Sequence, residues 1–194
     1  MTEPYTLCLY CGSSNRAEPI FYEAAAEFGR ETARRGWRLV YGGGRVGLMG
    51  AAADGALEAG GEVIGIIPGF LHDFEVGHHG VTRLEVVESM HIRKMRMFEL
   101  SDAFCILPGG LGTLDETFEI MTWRQLGLHE KPIVLANLKD FWTPFLDLLN
   151  AQVEAKLVRP EHAALLQTAD SIPELFDALG KRTEAVAGAT SKFL

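Results

Sequence analysis

The stretch from Pro108 to Glu116, Pro-Gly-Gly-Leu-Gly-Thr-Leu-Asp-Glu, constrains the fold of this chain more than any other part of its sequence. It follows an apolar run at residues 103–107, which predicts a buried strand, and precedes a periodic segment at residues 114–126, which predicts a helix. Glycine has no Cβ, so glycines at such a junction let the backbone turn tightly and approach a ligand closely. The hydroxyl of Thr113 is placed to cap the new helix. The stretch therefore predicts a strand, a glycine-rich loop and a helix.

The same junction predicts an anion site. The first N–H groups of a helix have no partner within the helix, and the helix dipole adds partial positive charge there, so a phosphate group fits. Glu116 lies one turn further along, where its carboxylate faces whatever the phosphate is attached to. An ionised carboxylate suits the activation of water or the stabilisation of positive charge at C1′ of a sugar. The alternative is an acid that only interacts with the helix dipole.

Strands and helices alternate along the chain. Apolar runs predict strands at residues 7–11, 37–41, 63–67, 81–87, 103–107 and 133–136. Helices are predicted at residues 19–35, 46–58, 90–100, 114–126, 141–156, 160–166 and 172–179, and residues 70–80 predict a loop with a short helical turn. Continuous apolar strands between helices predict a parallel sheet covered on both faces, a doubly wound, three-layer α/β/α fold. We expect one domain at residues 1–180 and a frayed tail at residues 181–194.

Three predicted strands end in clusters of glycine or serine, at residues 12–14, 42–44 and 109–113. The carboxyl ends of parallel strands lie at one edge of a sheet, where ligands of such folds bind, so we expect the clusters to meet there. The alternative is that the glycines only permit tight turns, because glycine loops recur in folds of unrelated function. The cluster residues predicted to form the crevice are Ser13, Gly43, Gly44, Gly109, Gly110, Gly112 and Thr113.

The predicted helix at residues 90–100 begins at the same edge. It carries the adjacent cations Arg93 and Lys94, and an arginine there can make a forked contact with phosphate or carboxylate. The alternative is a solvated basic face of the helix. Met90 lies early enough in the helix to contact an aromatic base.

Composition excludes several classes of function. The formal net charge of -8 disfavours nonspecific binding to nucleic acid or to an anionic membrane. No apolar run reaches the roughly 20 residues of a membrane span, and the first residues lack the pattern of a signal peptide, so we expect a cytoplasmic protein. The glycine loops lack both the lysine of a P-loop and the register of a dinucleotide fingerprint.

Metal and redox chemistry are not expected. The pair Cys8 and Cys11 lies within a predicted strand rather than at a helix N-terminus, which favours buried structural cysteines over a redox pair. The histidines show no zinc-ligand spacing, and the adjacent pair His78-His79 cannot easily share one metal. We therefore expect no metal and no cofactor.

The motifs, in this order and spacing, resemble the Lonely guy (LOG) family of cytokinin riboside 5′-monophosphate phosphoribohydrolases, long labelled lysine decarboxylases. The likeness extends from Cys11 to Pro132 and, more loosely, toward the end of the chain. The motifs that carry it are Gly42-Gly43-Gly44 with Gly47-Leu48-Met49-Gly50, Met90-His91-x-Arg93-Lys94, and Pro108-Gly109-Gly110-x-Gly112-Thr113-x-x-Glu116.

The resemblance implies a Rossmann-like fold, a homodimer, and hydrolysis of the N-glycosidic bond of AMP or N6-substituted AMP. The products would be a free adenine-type base and ribose 5-phosphate. The resemblance makes Arg93 and Glu116 the catalytic pair. The substrate contacts that it implies are Glu75, Arg93, Lys94, Gly110, Leu111, Gly112, Thr113, Leu114, Asp115, Glu116 and Thr122.

Three departures from the family pattern bear on the substrate. Ile92 stands where many members have an acid, Arg45 where serine is common, and His78-His79 where Gly-Glu is frequent. Two other functions stay open at the level of sequence. One is a carrier of the same fold that holds a nucleotide or phosphorylated cofactor without cleaving it. The other is a pyridoxal-phosphate lysine decarboxylase, for which Lys94 would have to form the Schiff base.

Overall fold

The computed structural model describes residues 3–72 and 77–179. Its centre is one sheet of seven strands in the order β4-β3-β2-β1-β5-β6-β7, and every neighbouring pair is parallel. The order reverses direction between β1 and β5, which is where ligands of doubly wound sheets bind. The strands are β1 (Thr6–Tyr10), β2 (Arg38–Tyr41), β3 (Val63–Pro68), β4 (Arg83–Val87), β5 (Ala103–Ile106), β6 (Ile133–Ala136) and β7 (Leu166–Ala169).

Helices follow the strands along the chain. They are α1 (Pro19–Arg34), α2 (Gly47–Glu58), α3 (Gly69–His72), α4 (Met90–Leu100), α5 (Leu111–Gln125), α6 (Thr143–Glu154), α7 (Pro160–Ala163) and α8 (172–179), with a 3-10 turn at Leu138–Asp140. Pro19 starts α1, where its fixed φ suits the first helical residue, and Gly36 follows the helix end with a φ of 70°. No helix in the described part of the chain combines the length and the apolar character that a bilayer span requires.

The two faces of the sheet carry separate cores. Alternate residues of β1 point to opposite sides: Leu7 and Leu9 pack with α1, α2 and α8, whereas Cys8 and Tyr10 pack with α4, α5 and α6. The inner strands are buried between helices on both faces, whereas the edge strands β4 and β7 are partly exposed, at Val86 and Thr168 for example. The predicted three-layer α/β fold with a parallel sheet is therefore confirmed.

The small face of α2 packs on α1. A Cβ added at Gly29 of α1 would lie 2.0 Å from the carbonyl oxygen of Ala52, and one added at Gly55 would lie 2.3 Å from that of Ala26. These glycines let the two helices touch through their backbones.

Some predicted element bounds are wrong. The helix predicted at residues 160–166 ends at Ala163, and β7 follows it as an unpredicted seventh strand. Its Leu-Gln-Thr-Ala sequence is short and half polar, which suits an edge strand but gives no clear pattern by itself. Helix α6 ends at Glu154 because the chain turns at Lys156, whose φ is 61°. The predicted boundary at residue 180 and the tail at residues 181–194 lie outside the described residues.

Candidate active site

A cavity of about 660 Å³ opens at the carboxyl edge of the sheet, beside the point where the strand order reverses. This volume is typical of small-molecule sites, which span roughly 300–1,000 Å³. Its wall is formed by the segments after β1, β2, β5 and β6, together with the starts of α1, α2 and α5 and two side chains from α4 and α5. The lining residues central to the site are Ser13, Gly42, Arg93, Gly109, Gly110, Leu111, Gly112, Thr113 and Glu116.

The start of α5 faces this cavity. The helix begins at Leu111, three residues earlier than predicted, so Gly110 is the N-cap residue and no side chain caps the helix from that position. Thr113 therefore does not cap the helix; its side chain packs under the loop, where a Cβ added at Gly109 would lie 2.1 Å from its Oγ1. A Cβ added at Gly110 or Gly112 would meet nothing within 4 Å. The first turn therefore has open space beside these glycines, and its first N–H groups have no partner within the helix.

Arg93 is held in one orientation by backbone carbonyls. Its Nε donates to the oxygen of Ile66 at 3.1 Å and its Nη2 donates to the oxygen of Gly42 at 2.8 Å. The side chain is 5% exposed and lines the cavity. A Cβ added at Gly42 would lie 1.8 Å from Nη2, so this strand end must be glycine for the guanidinium to fit. Ser89 caps α4 through Ile92 N–H at 3.2 Å and fixes the start of the helix that carries Arg93.

Glu116 lines the same cavity and is 8% exposed. It lies in the second turn of α5, just beyond the N–H groups that face the cavity. Both charged groups affect the pKa of the neighbouring Cys11 thiol. Burial raises this pKa well above the ordinary value, Glu116 raises it further and Arg93 lowers it. The thiol is therefore held protonated, which makes it a poor nucleophile.

The other cysteines support the structural interpretation. Cys8, Cys11 and Cys105 are free and buried, and burial raises the pKa of Cys8 to about 12. The predicted burial of Cys8 and Cys11 is confirmed.

Lys94 is buried between α4 and α5 and does not line the cavity. Its Nζ lies 3.0 Å from Asp115 Oδ2 and 3.1 Å from Glu119 Oε1. Burial alone would lower the pKa of Lys94, but the hydrogen bonds to the two carboxylates outweigh it and the pKa lies above its ordinary value. The ammonium is therefore fixed in an ion-pair network that joins the two helices, with Asp115 on the side of α5 away from the cavity.

Several predicted contacts do not line the cavity of a single chain. Gly43, with a φ of 77°, accepts a hydrogen bond from His78 N–H at 2.9 Å, and Gly44 pairs with Gly77 in an isolated bridge. Gly43 packs beside β3, where an added Cβ would lie 3.0 Å from Cβ of Ile67. Met90 contacts Arg93 through its sulfur. Leu114 is half-buried and Thr122 is exposed on α5, and Glu75 lies outside the described residues.

The residues on one side of the cavity were not predicted from the sequence. Its side chains are Arg16, Glu18, Phe21, Lys139 and Phe141. Phe21 and Phe141 meet edge to face with ring centroids 5.6 Å apart. Lys139 and Asp140 have φ values of 54° and 58°, in the left-handed region that favours glycine. The signal that could have found Lys139 and Phe141 is topological: β6 is the neighbour of β5, so the loop after β6 lies at the same edge as the glycine loop after β5.

His78 has a structural setting. Its Nδ1 accepts from Gly80 N–H at 3.2 Å, so Nε2 carries the proton and donates to Asp54 Oδ1 at 2.8 Å. Within residues 3–72 and 77–179, no group of three or more potential ligands is arranged to hold a metal ion.

The chain matches a family model described as "Possible lysine decarboxylase" over residues 49–179. The cytokinin riboside 5′-monophosphate phosphoribohydrolase of Rhodococcoides fascians is 48% identical over 153 residues, which cover 78% of this chain and 77% of that protein. The cytokinin riboside 5′-monophosphate phosphoribohydrolase LOG of Oryza sativa subsp. japonica is 40% identical over 169 residues, which cover 87% of this chain and 70% of that protein.

Solved structures share the fold. The molybdenum cofactor binding protein of Rippkaea orientalis superposes with a TM-score of 0.72 at 24% identity and covers 94% of this chain and 99% of its own. The Moco carrier protein of Chlamydomonas reinhardtii gives a TM-score of 0.72 at 22% identity, with coverage of 94% and 99%. At this level of identity the likeness shows the fold alone, whereas the family model and the curated relatives show the family. The chain belongs to the possible lysine decarboxylase family, the LOG family that its motifs resemble.

Proposed function

We propose that this protein hydrolyses the N-glycosidic bond of AMP or N6-substituted AMP, releasing adenine or a cytokinin base and ribose 5-phosphate. One observation carries the proposal: the open start of α5, the carboxylate of Glu116 and the guanidinium of Arg93 line a single cavity. The curated relatives with this activity, 48% and 40% identical over most of the chain, support it.

In this proposal the phosphate binds to the N–H groups at the start of α5. The loop Gly109–Thr113 contributes the backbone of this cradle, and Ser13 faces it from the segment after β1. The open space beside Gly110 and Gly112 leaves room for the phosphate oxygens.

Glu116 then faces C1′ of the ribose. Its ionised carboxylate stabilises the positive charge that develops on the sugar and orients the attacking water. The water oxygen bonds to C1′ as the bond from C1′ to the base nitrogen breaks, the electron pair stays on the base, and a proton from water completes the free base. Arg93, fixed by two carbonyls, orients Glu116 and the sugar-phosphate.

Lys94 and Asp115 act by positioning in this scheme. Their ion pair joins α4 to α5 and so fixes Arg93 relative to Glu116. Leu114 lies between Thr113 and Asp115 in the same part of α5. Met90, Gly43, Gly44 and Glu75 remain proposed contacts from the family resemblance.

We further propose that the protein is a homodimer formed through α4 and α5. Their outer faces expose Ile92, Met95 and Phe118. Thr122 lies on the exposed surface of α5, where a second copy would bring it near the partner's site. A cytoplasmic location fits the three buried, unpaired thiols.

Two alternatives are weaker. A carrier of the same fold would need the cavity but not the pair Arg93 and Glu116. A lysine decarboxylase would need a free lysine for its cofactor, and Lys94 is engaged by two carboxylates away from the cavity. An absorbance scan of the purified protein for an aldimine tests that alternative.

The test is a panel of nucleoside 5′-monophosphates with detection of free base and ribose 5-phosphate. We expect Glu116→Gln to lower kcat by about 10³-fold or more while AMP still binds, because the amide keeps the shape but loses the charge. Glu154→Gln, an exposed change at the end of α6, is the matched control. Hydrolysis of AMP by the Glu116→Gln variant at the wild-type rate contradicts the catalytic assignment.

A further inference from the structure

Two of the cations that lack a carboxylate partner lie at the cavity. In a chain of net charge -8, the basic side chains of the described residues are mostly engaged. Among the described residues, Arg16, Arg45, Lys139 and Lys156 have neither an ion pair nor a side-chain bond to a backbone carbonyl, and of these four Arg16 and Lys139 line the cavity. Those that pair with carboxylates are Arg30, Arg34, Arg35, Arg38, Arg83, Lys94, Arg96 and Arg159, and those that donate to backbone carbonyls are Arg93, Arg124 and Lys131.

Lys139 is held in the cavity wall by a turn that suits glycine better. Its φ is 54° and that of Asp140 is 58°, a conformation that costs an L-residue free energy and persists only where its surroundings enforce it. Here Asn137 enforces it: its N–H donates to Ala169 O at 2.8 Å and its Oδ1 accepts from Trp142 N–H at 2.7 Å. A lysine therefore occupies a position where glycine costs less, and its side chain lies on the cavity.

The cavity needs such cations to hold a phosphate monoester. A phosphate monoester carries close to two negative charges at neutral pH, whereas a helix start supplies about half a positive charge. Arg93 lies deep in the cavity with Nε and Nη2 already donating to carbonyls. Glu18 and Glu116 also line the cavity, and their negative charges oppose an anion. The charge left to balance a phosphate comes from Arg16 and Lys139.

We propose that Arg16 and Lys139 form a cationic phosphate subsite that approaches the start of α5 from two loops. This inference deepens the proposed function and rests on it for the identity of the ligand. The pair selects 5′-phosphorylated nucleosides over nucleosides, and it attracts a dianion to a protein whose overall charge repels it. It contributes to binding rather than to the chemical step.

Lys139→Gly tests the subsite because it removes the amine and places glycine where φ is positive. Lys156→Gly is the matched control: Lys156 is exposed, has a φ of 61° and does not line the cavity. We expect Lys139→Gly to weaken AMP binding about tenfold with kcat within about twofold, and to flatten the salt dependence of binding, while Lys156→Gly changes neither. Arg16→Gln should act like Lys139→Gly, and both should bind adenosine as the wild type does.

A second variant separates the effect of the Lys139 amine from the effect of the strained turn. Asp140→Gly relieves the same turn and keeps the amine of Lys139, so AMP binding should stay at the wild-type level. Unchanged AMP binding by Lys139→Gly, or equal weakening by Asp140→Gly, overturns the subsite. Calorimetry in the Glu116→Gln background measures AMP binding without turnover. A protein that binds AMP but releases no base therefore refutes the proposed hydrolysis and still tests the subsite.

Discussion

Helices α2 and α5 both start at the carboxyl edge of the sheet after glycine-rich loops. The start of α2 is packed against other parts of the protein, whereas the start of α5 is open to the cavity. At α2 the first N–H groups are satisfied internally: Gly47 N–H donates to Asn15 Oδ1 and Leu48 N–H to Gly12 O, both at 2.9 Å. Gly47 has a φ of 65°, and an added Cβ would lie 2.4 Å from the carbonyl carbon of Ser13. This glycine serves the packing of one loop against another.

At α5 the first residues of the helix line the cavity instead. Gly110 and Gly112 have no atom within 4 Å of an added Cβ, and Leu111 between them is 86% exposed. A glycine that packs against protein and a glycine that leaves room for a ligand are identical in sequence. The two kinds of glycine differ in their surroundings. Gly47 packs against the loop after β1, whereas Gly110 and Gly112 line the cavity.

The largest effect on activity is expected at Gly42, which packs against Arg93 and also lines the cavity. Gly42→Ala places a methyl group on the guanidinium of Arg93 and should lower kcat/KM about 10²- to 10³-fold, with the fold retained. Arg93→Gln should cost a similar factor, and the double variant no more than either single one, because both remove the same interaction. Steady-state kinetics with circular dichroism check this, and additive losses contradict it.

The start of α2 should respond in stability. Gly47→Ala combines a left-handed φ with a backbone clash, so the free energy of unfolding should fall by about 3 kcal/mol. Urea unfolding measures it. A variant as stable as the wild type would show that this start is not packed as described.

The start of α5 should respond in the opposite way. Gly112→Ala adds helix propensity without a clash, so stability should rise by about 0.5–1 kcal/mol while AMP binds about tenfold more weakly. Gly69→Ala is a control outside the cavity, since its Cβ would make only an ordinary contact with Val86 at 3.8 Å. Unchanged AMP affinity in Gly112→Ala would contradict the proposal that the start of α5, unlike that of α2, binds the ligand.

The smallest effect concerns pH and stability away from both starts. Burial lowers the pKa of His129 below 6.5, and its ring bonds to Ile120 O and Lys131 N–H in the neutral form. The unfolded chain therefore binds a proton more readily, so stability should fall as pH drops below 6.5. His129→Gln should show a weaker fall than the wild type or the control His162→Gln in urea unfolding at pH 7.5 and about 5.5. Equal slopes would contradict this.

The fold was predictable because its signals are local. Apolar runs and helix starts near prolines or serine identify most elements, and the alternation of strand and helix predicts the parallel sheet. The strand β7 was missed because Leu166–Ala169 is too short and too polar to be recognised without its neighbour β6.

The site was predictable only in part. Arg93, Glu116 and the loop at residues 109–113 carry recognisable chemistry, and the structure brings them into one cavity. Gly43 is identical in sequence to Gly110 and Gly112, yet it packs beside β3. Lys139 has no motif, because its place in the wall depends on the backbone of the loop after β6.

A crystal structure of the Glu116→Gln variant with AMP would show directly whether the phosphate binds at the start of α5. We expect the phosphate at the N–H groups of Gly110 to Thr113, with C1′ of the ribose facing the substituted side chain at position 116. A phosphate seated at the start of α2, or that side chain turned away from the ribose, would contradict it.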